Sequence, residues 1–158
     1  MKNEKEATTE LKLLLEDMAK RGIKIKNKAN SWFKLGPRFT TTLGKTIFVP
    51  KDWDTYSDLD KLSTLVHENI HIHQYSKFTV PGFLFLYLLC FFPIGLAFFR
   101  YLFERQAYLV GYKKILEYRI TAKSMLINNG VEQMCKGNYG YAWIFPKAVR
   151  KWFEKNLG

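Results

Sequence analysis

Between Lys77 and Arg100 lie 22 residues without a formal charge, Phe78 to Phe99, seven of them phenylalanine. Few folds accommodate such a run. About 20 apolar residues suffice to cross a bilayer as one helix. Pro93 and Gly95 interrupt this one, and the halves they leave, Pro81 to Phe92 and the returning part beyond the turn, are each too short to span. The run therefore reads as an apolar helical hairpin over 78–103. Such a hairpin can be packed core, an oligomer interface, or a tip dipped into a membrane.

The rest of the composition is that of a folded chain. Its 158 residues fit a single domain. With 47% apolar and 25% charged residues, it can bury a core. Lys and Arg outnumber Asp and Glu by 25 to 14, giving +11. These charges are dispersed, mostly toward the two ends, with no arginine-rich run, so they read as a solvated surface and specific nucleic-acid binding is not expected. Cys90 and Cys135 are too few for a disulfide framework or a four-thiolate zinc site. Met1 to Glu10 has no apolar signal-peptide core. The expected location is cytoplasmic, with peripheral membrane association as the competing possibility.

The order of elements predicts an α+β fold. Leu11, Leu14, Leu15 and Met18 paint one face of a helix over Glu4 to Arg21, stopped at Gly22. Ile23 and Ile25 mark a short strand, and Lys26 to Lys34 a loop. Arg38–Thr42 and Lys45–Val49 read as a hairpin turning at Leu43-Gly44, giving a small antiparallel sheet. Ser57-Asp58-Leu59-Asp60 starts a helix that runs from about Asp58 to Tyr75. A helical C-terminal half follows, with one helix from about Arg100 to Asn128 that stops at Asn129-Gly130, and a short helix after Pro146. The core spans about residues 38–128.

The chemistry sits on the Asp58 helix. All three histidines, His67, His71 and His73, fall within seven residues, so any histidine-based site must use this stretch. His67-Glu68-x-x-His71 is the HExxH pattern. Positions four apart on a helix differ by about 40° and lie one turn apart, so two imidazoles can converge on one Zn²⁺. Glu68 projects beside them, placed to take a proton from activated water. His73 falls about 200° beyond His71, off the metal face, and reads as an ordinary histidine. Gln74 returns to the metal face and is a candidate to support a ligand or face substrate.

A third ligand is required. No histidine follows His73 and no aspartate follows Asp60, which leaves Glu104, Glu117, Glu132, Glu154 and the two cysteines. Glu104 is the best candidate. It lies early in a helix, and Ala107, one turn on, lets that helix approach the motif helix closely. Glu117 reads as a solvent-facing salt-bridge residue. A straight apolar span would carry Glu104 across the membrane from His71, so a shared metal ion requires the hairpin.

Together these segments resemble the gluzincin branch of the zincin zinc metalloproteases, with HExxH on one helix and an ExxA-type glutamate on a later one. More narrowly, Gly44-Lys45-Thr46-Ile47-Phe48-Val49-Pro50, Leu65-Val66-His67-Glu68-x-x-His71-x-x-Gln74 and Phe99-Arg100-Tyr101-x-x-Glu104-x-x-Ala107-Tyr108 are similar to small HExxH proteins, many of them phage-encoded. The likeness covers roughly Arg38 to Tyr112. It implies Zn²⁺ held by His67, His71 and Glu104, with Glu68 as catalytic base. It also implies a peptide or protein substrate lying along Lys45–Val49 as an edge strand. Thermolysin-like enzymes stabilise the transition state with a downstream histidine, which this chain lacks. Tyr101 and Tyr108 flank Glu104, and Tyr108 is the candidate to replace it. The expected function is a small zinc metallopeptidase. The alternatives are a non-catalytic zincin-fold structural or interaction protein, such as a phage particle component, and a membrane-associated protein contacting lipid or a hydrophobic partner through Phe78–Phe99.

Overall fold

The computed structural model describes residues 2–30, 39–88, 97–118, 122–136 and 145–158. Helix α1 (Glu4–Lys20) leads into strand β1 (Lys24–Asn27) and a 3₁₀ turn at Lys28–Asn30. Strands β2 (Thr41–Leu43) and β3 (Thr46–Val49) follow, and a second 3₁₀ turn at Trp53–Thr55 leads to helix α2 (Asp58–Phe78). Helices α3 (Val80–Leu88), α4 (Ala97–Tyr118), α5 (Lys123–Lys136) and α6 (Pro146–Leu157) make the C-terminal half.

Capping explains where the first and central helices begin. Asn3 and Glu6 form a reciprocal capping box at α1. At α2 the Ser57 hydroxyl oxygen accepts from the Asp60 amide at 3.2 Å and donates to the Asp60 carboxylate at 2.6 Å. Asp58 and Asp60 then sit in the first turn, where the helix dipole favours negative charge.

The sheet differs from expectation in two ways. It is mixed, with β1 parallel to β3 and β2 antiparallel to it. Its order is β1-β3-β2, so Lys45–Val49 supplies the central strand and not an edge. The physical reason is the short strand after α1, in which Ile25 is the one apolar side chain. Gly22 at φ 73 turns the chain back, and Ile25 comes to lie opposite Ile47, closing the side of β3 that a lone hairpin would leave open. The hairpin is present, but Leu43 pairs with Thr46, so its turn is Gly44-Lys45, one residue past the expected Leu43-Gly44. Its two-residue turn places Gly44 at φ 58, the conformation a II′-type turn requires at its first position.

Two packed centres support the motif helix. Leu62, Leu65 and Ile72 of α2 meet Leu11 and Met18 of α1 and Ile47 and Val49 of β3. Behind α4, Leu126, Ile127 and Met134 of α5 enclose Val149, Phe153 and Leu157 of α6 with Tyr101 and Tyr112. The long Arg100–Asn128 helix is not observed. Helix α4 ends at Tyr118, and Gly130 lies inside α5 instead of stopping a helix. A Cβ at Gly130 would stand 2.7 Å from the Phe153 ring, so this glycine serves close helix packing.

The apolar run folds back on itself. Thr79 breaks α2 at φ 58, and α3 then lies against α4. Phe83 stacks on Phe103 with ring centroids 4.8 Å apart, and Tyr75 packs on Phe83 at 4.2 Å. Among the described residues no helix is long and apolar enough to cross a membrane. The turn expected at Pro93 and Gly95, and Cys90, fall outside the described residues.

Candidate metal centre

Helices α2 and α4 pack side by side, and small residues set their approach. Ala107 is fully buried. One turn on, a Cβ at Gly111 would lie 3.3 Å from the Ser63 carbonyl oxygen and 3.7 Å from His67 Cβ. This close crossing carries Glu104 to the two histidines. Sequence reading identified Ala107 but missed Gly111, whose signal is the four-residue spacing of small residues on one helix face.

His67, His71 and Glu104 form a metal-binding triad, consistent with an HExxH-type zincin motif. One donor atom from each lies within 4.8 Å of the others. The two Nε2 atoms are 3.2 Å apart. Each imidazole has a Glu104 oxygen at 3.7 Å, Oε2 for His67 and Oε1 for His71. Donors at about 2.1 Å from a tetrahedral Zn²⁺ stand about 3.4 Å from one another. Two nitrogens and a carboxylate at 3.2–3.7 Å fit that cage with little adjustment.

The electrostatics point the same way. Glu104 is 2% exposed, a carboxylate taken almost wholly out of water. Such a charge requires a counter-charge nearby. Burial and the neighbouring His71 drive the His67 pKa down to about 3, against the pull of Glu104 and a hydrogen bond to the Ala107 backbone. His71 moves the other way. Burial opposes its charging, but Glu104, Glu68 and Gln74 outweigh that and raise it to about 9. Glu104 and Glu68 thus favour a proton on His71, which a metal ion would have to displace in order to bind there.

The surrounding hydrogen bonds orient the donors. His71 Nδ1 is 2.9 Å from Gln74 Oε1, and Gln74 Nε2 donates to the Phe103 carbonyl at 3.2 Å. Gln74 therefore supports a ligand and ties α2 to the turn preceding Glu104. Anchoring the ring nitrogen away from the metal is how proteins fix the tautomer of a ligating histidine. His73 is exposed and lies outside the triad.

Glu68 lies next to the triad and is 5% exposed. Thr42 Oγ1 on β2 donates to Glu68 Oε2 at 2.6 Å. Burial pushes the Glu68 pKa up, with His71 and Thr42 working against it. The Tyr75 hydroxyl donates to the Thr42 carbonyl at 3.0 Å and so holds the strand that holds Glu68. Lys28, expected in a loop, is 4% exposed and donates to the Phe39 carbonyl at 2.5 Å and to Thr41 Oγ1 at 3.0 Å. Sequence reading singled out neither Thr42 nor Lys28.

Of the two candidate tyrosines, the structure separates one from the triad. Tyr101 is buried among α5 and α6 side chains. Tyr108 packs edge-on against His67, ring centroids 4.7 Å apart, and lines a cavity of about 250 Å³ with His67 and Glu68. Ser63, Thr64, Gly111, Tyr112 and Ile115 form the helical walls of this open cavity, and Phe39, Thr40, Pro50 and Tyr56 line its other side. Glu117, the discounted carboxylate, is exposed and pairs with Lys2 and Lys114.

No protein-family model, curated protein or solved structure matches this chain.

Proposed function

We propose that this chain is a zinc-dependent metallohydrolase, a small gluzincin-like metallopeptidase. The observation that carries the reading is the convergence of His67, His71 and Glu104 beside a buried carboxylate, Glu68, that is not itself part of the triad. A bound Zn²⁺ would supply Lewis acidity and a nucleophilic water at neutral pH.

The chain's own groups do the rest. Glu68, held by Thr42 and raised toward its protonated form by burial, accepts a proton from the attacking water and returns it to the leaving amine. Tyr108, beside His67 on the cavity wall, is the candidate donor to the developing oxyanion. Among the described residues, the cavity lining has no lysine, arginine or aspartate. Its aromatic and aliphatic walls favour substrates with a bulky apolar side chain next to the cleaved bond.

The strand relation is revised accordingly. Strand β2, not β3, is the sheet edge beside α2. Its register pairs Thr42 with Ile47, a position that turns the Thr42 backbone outward, where its carbonyl already accepts from Tyr75. An extended substrate would lie outside β2 near Thr40, which also lines the cavity.

The test combines metal content by mass spectrometry with hydrolysis of peptides carrying apolar residues. Wild type should hold close to one zinc per chain, Glu104→Ala much less. Glu68→Gln should retain zinc and lose about 10²–10⁴-fold in turnover. Turnover unaffected by Glu68→Gln sinks the catalytic reading. Zinc retained with no turnover of any peptide favours a structural role for the metal.

A further inference from the structure

The α3 end of the molecule carries an apolar face that the metal centre does not use. Phe83 and Phe103 stack inward, while Phe85 is 64% exposed. Phe78, Val80 and Phe98 add exposed apolar surface on the same helical hairpin. A face with aromatic side chains left in water calls for a covering partner.

The charges around it say what kind. From Asn69 to Phe103 the chain has no acidic residue, while Lys77 and Arg100 bracket the apolar run. The tip of the β2–β3 hairpin reaches the same place: a Cβ at Gly44 would lie 3.6 Å from the Val80 side chain. Next to that tip stand exposed Lys45 and Lys24, whose amide donates to the Lys45 carbonyl at 2.9 Å. Arg21 lies beside them, its carbonyl accepting from Lys45 Nζ at 3.2 Å. Arg21 is itself paired with Asp17 at 2.9 Å.

We propose that this end docks peripherally on an anionic lipid bilayer, with Phe85, Phe98, Val80 and Phe78 entering the headgroup boundary and the basic rim meeting lipid phosphates. Exposed aromatics ringed by lysine and arginine combine the two attractions that interfacial binding requires, burial of apolar area and charge. Among the described residues no helix is long and apolar enough to cross the bilayer, and the contact proposed is peripheral. Phe83 links this face to the site behind it, with its ring centroid 6.3 Å from that of His71. If the site hydrolyses peptides as proposed above, docking would place the triad near the membrane surface and its polypeptides. The docking itself does not depend on hydrolytic activity.

The test is flotation of the full chain with vesicles of phosphatidylcholine alone and of phosphatidylcholine mixed with phosphatidylglycerol. The protein should float with the mixed vesicles and be released as salt screens the rim. Phe85→Asp should weaken partitioning by about tenfold or more, since it withdraws one buried aromatic side chain. Lys77→Glu should weaken it less, and only at low salt. Phe85 is exposed, so the variant should keep wild-type circular dichroism and metal content. Met125→Asp, at an exposed apolar residue on α5, should float like wild type. The proposal is overturned if wild type stays unbound on both vesicles, or if Phe85→Asp floats undiminished. It is also overturned if sedimentation without lipid shows that Phe85→Asp abolishes self-association, which would assign the face to a second copy of the chain.

Discussion

The Thr42 hydroxyl reaches across from strand β2 to donate to Glu68 on helix α2 at 2.6 Å, so the sheet orients the carboxylate next to the metal-binding triad. A hydrogen bond to a charged group contributes about 1.5–3 kcal/mol. Thr42→Val is therefore expected to lower kcat for peptide hydrolysis by about tenfold or more and to leave zinc content unchanged. Thr42→Ser should restore most of the rate. An unchanged kcat in Thr42→Val, or loss of zinc in step with it, would assign the threonine a different task.

Gln74 joins the two helices that supply the triad, through His71 on one side and the Phe103 carbonyl on the other. Supports of this kind typically contribute about 10–100-fold to metal affinity. Gln74→Ala should weaken zinc binding by that order in a chelator competition titration. Wild-type affinity in the variant would show that His71 is oriented by packing alone.

Gly130 has room for hydrogen and nothing larger. A Cβ there meets three ring atoms of fully buried Phe153 at 2.7, 3.0 and 3.2 Å. In an open helix, Gly→Ala would stabilise by about 0.5–1 kcal/mol. Against Phe153 the overpacking cost of about 1–3 kcal/mol dominates. Thermal denaturation of Gly130→Ala should give a lower Tm. A higher Tm would mean that the ring moves aside freely.

Glu10 binds the start of α1 to the end of α4 by accepting from Lys2, Lys114 and Tyr118. Burial opposes its ionisation, yet these donors prevail and hold its carboxyl at about 2, against 4.5 in the free side chain. A depressed folded-state pKa stabilises above the unfolded value, and that stabilisation is lost as pH falls through the folded one. Glu10→Gln should therefore unfold at lower urea than wild type near neutral pH, with the gap closing as pH falls from 4.5 toward 2. A gap that stays constant over that range would remove the carboxylate from the account.

Much of the site was legible because helical geometry is local. His67, Glu68, His71 and Gln74 lie on one helix, and their spacing alone states which of them can converge. Glu104 became legible by elimination, since few donors follow His73. Thr42 was not legible, because Thr40, Thr41 and Thr42 alternate across a strand and only the packed partner decides which faces α2. Lys28 was missed for a related reason: a lysine in a polar stretch reads as solvated until the chain folds over it. The sheet order failed at β1, whose pairing with β3 depends on how α1 returns the chain. The stop expected at Gly130 failed because a glycine that ends a helix and one that admits a neighbouring ring look alike in sequence.

His71 and Glu104 are separated by 33 positions, and nearly everything between them is the apolar hairpin. An ion gripped by both acts on the chain as a crosslink does, because it turns that segment from an open arm into a closed ring. Closing a loop of this size removes freedom mainly from the unfolded ensemble. Chelation should thus expose the segment between Thr79 and Arg100 to proteolysis before the α1–sheet layer is cut. The metal would then govern how long the folded chain survives in a cell, whatever chemistry it also supplies.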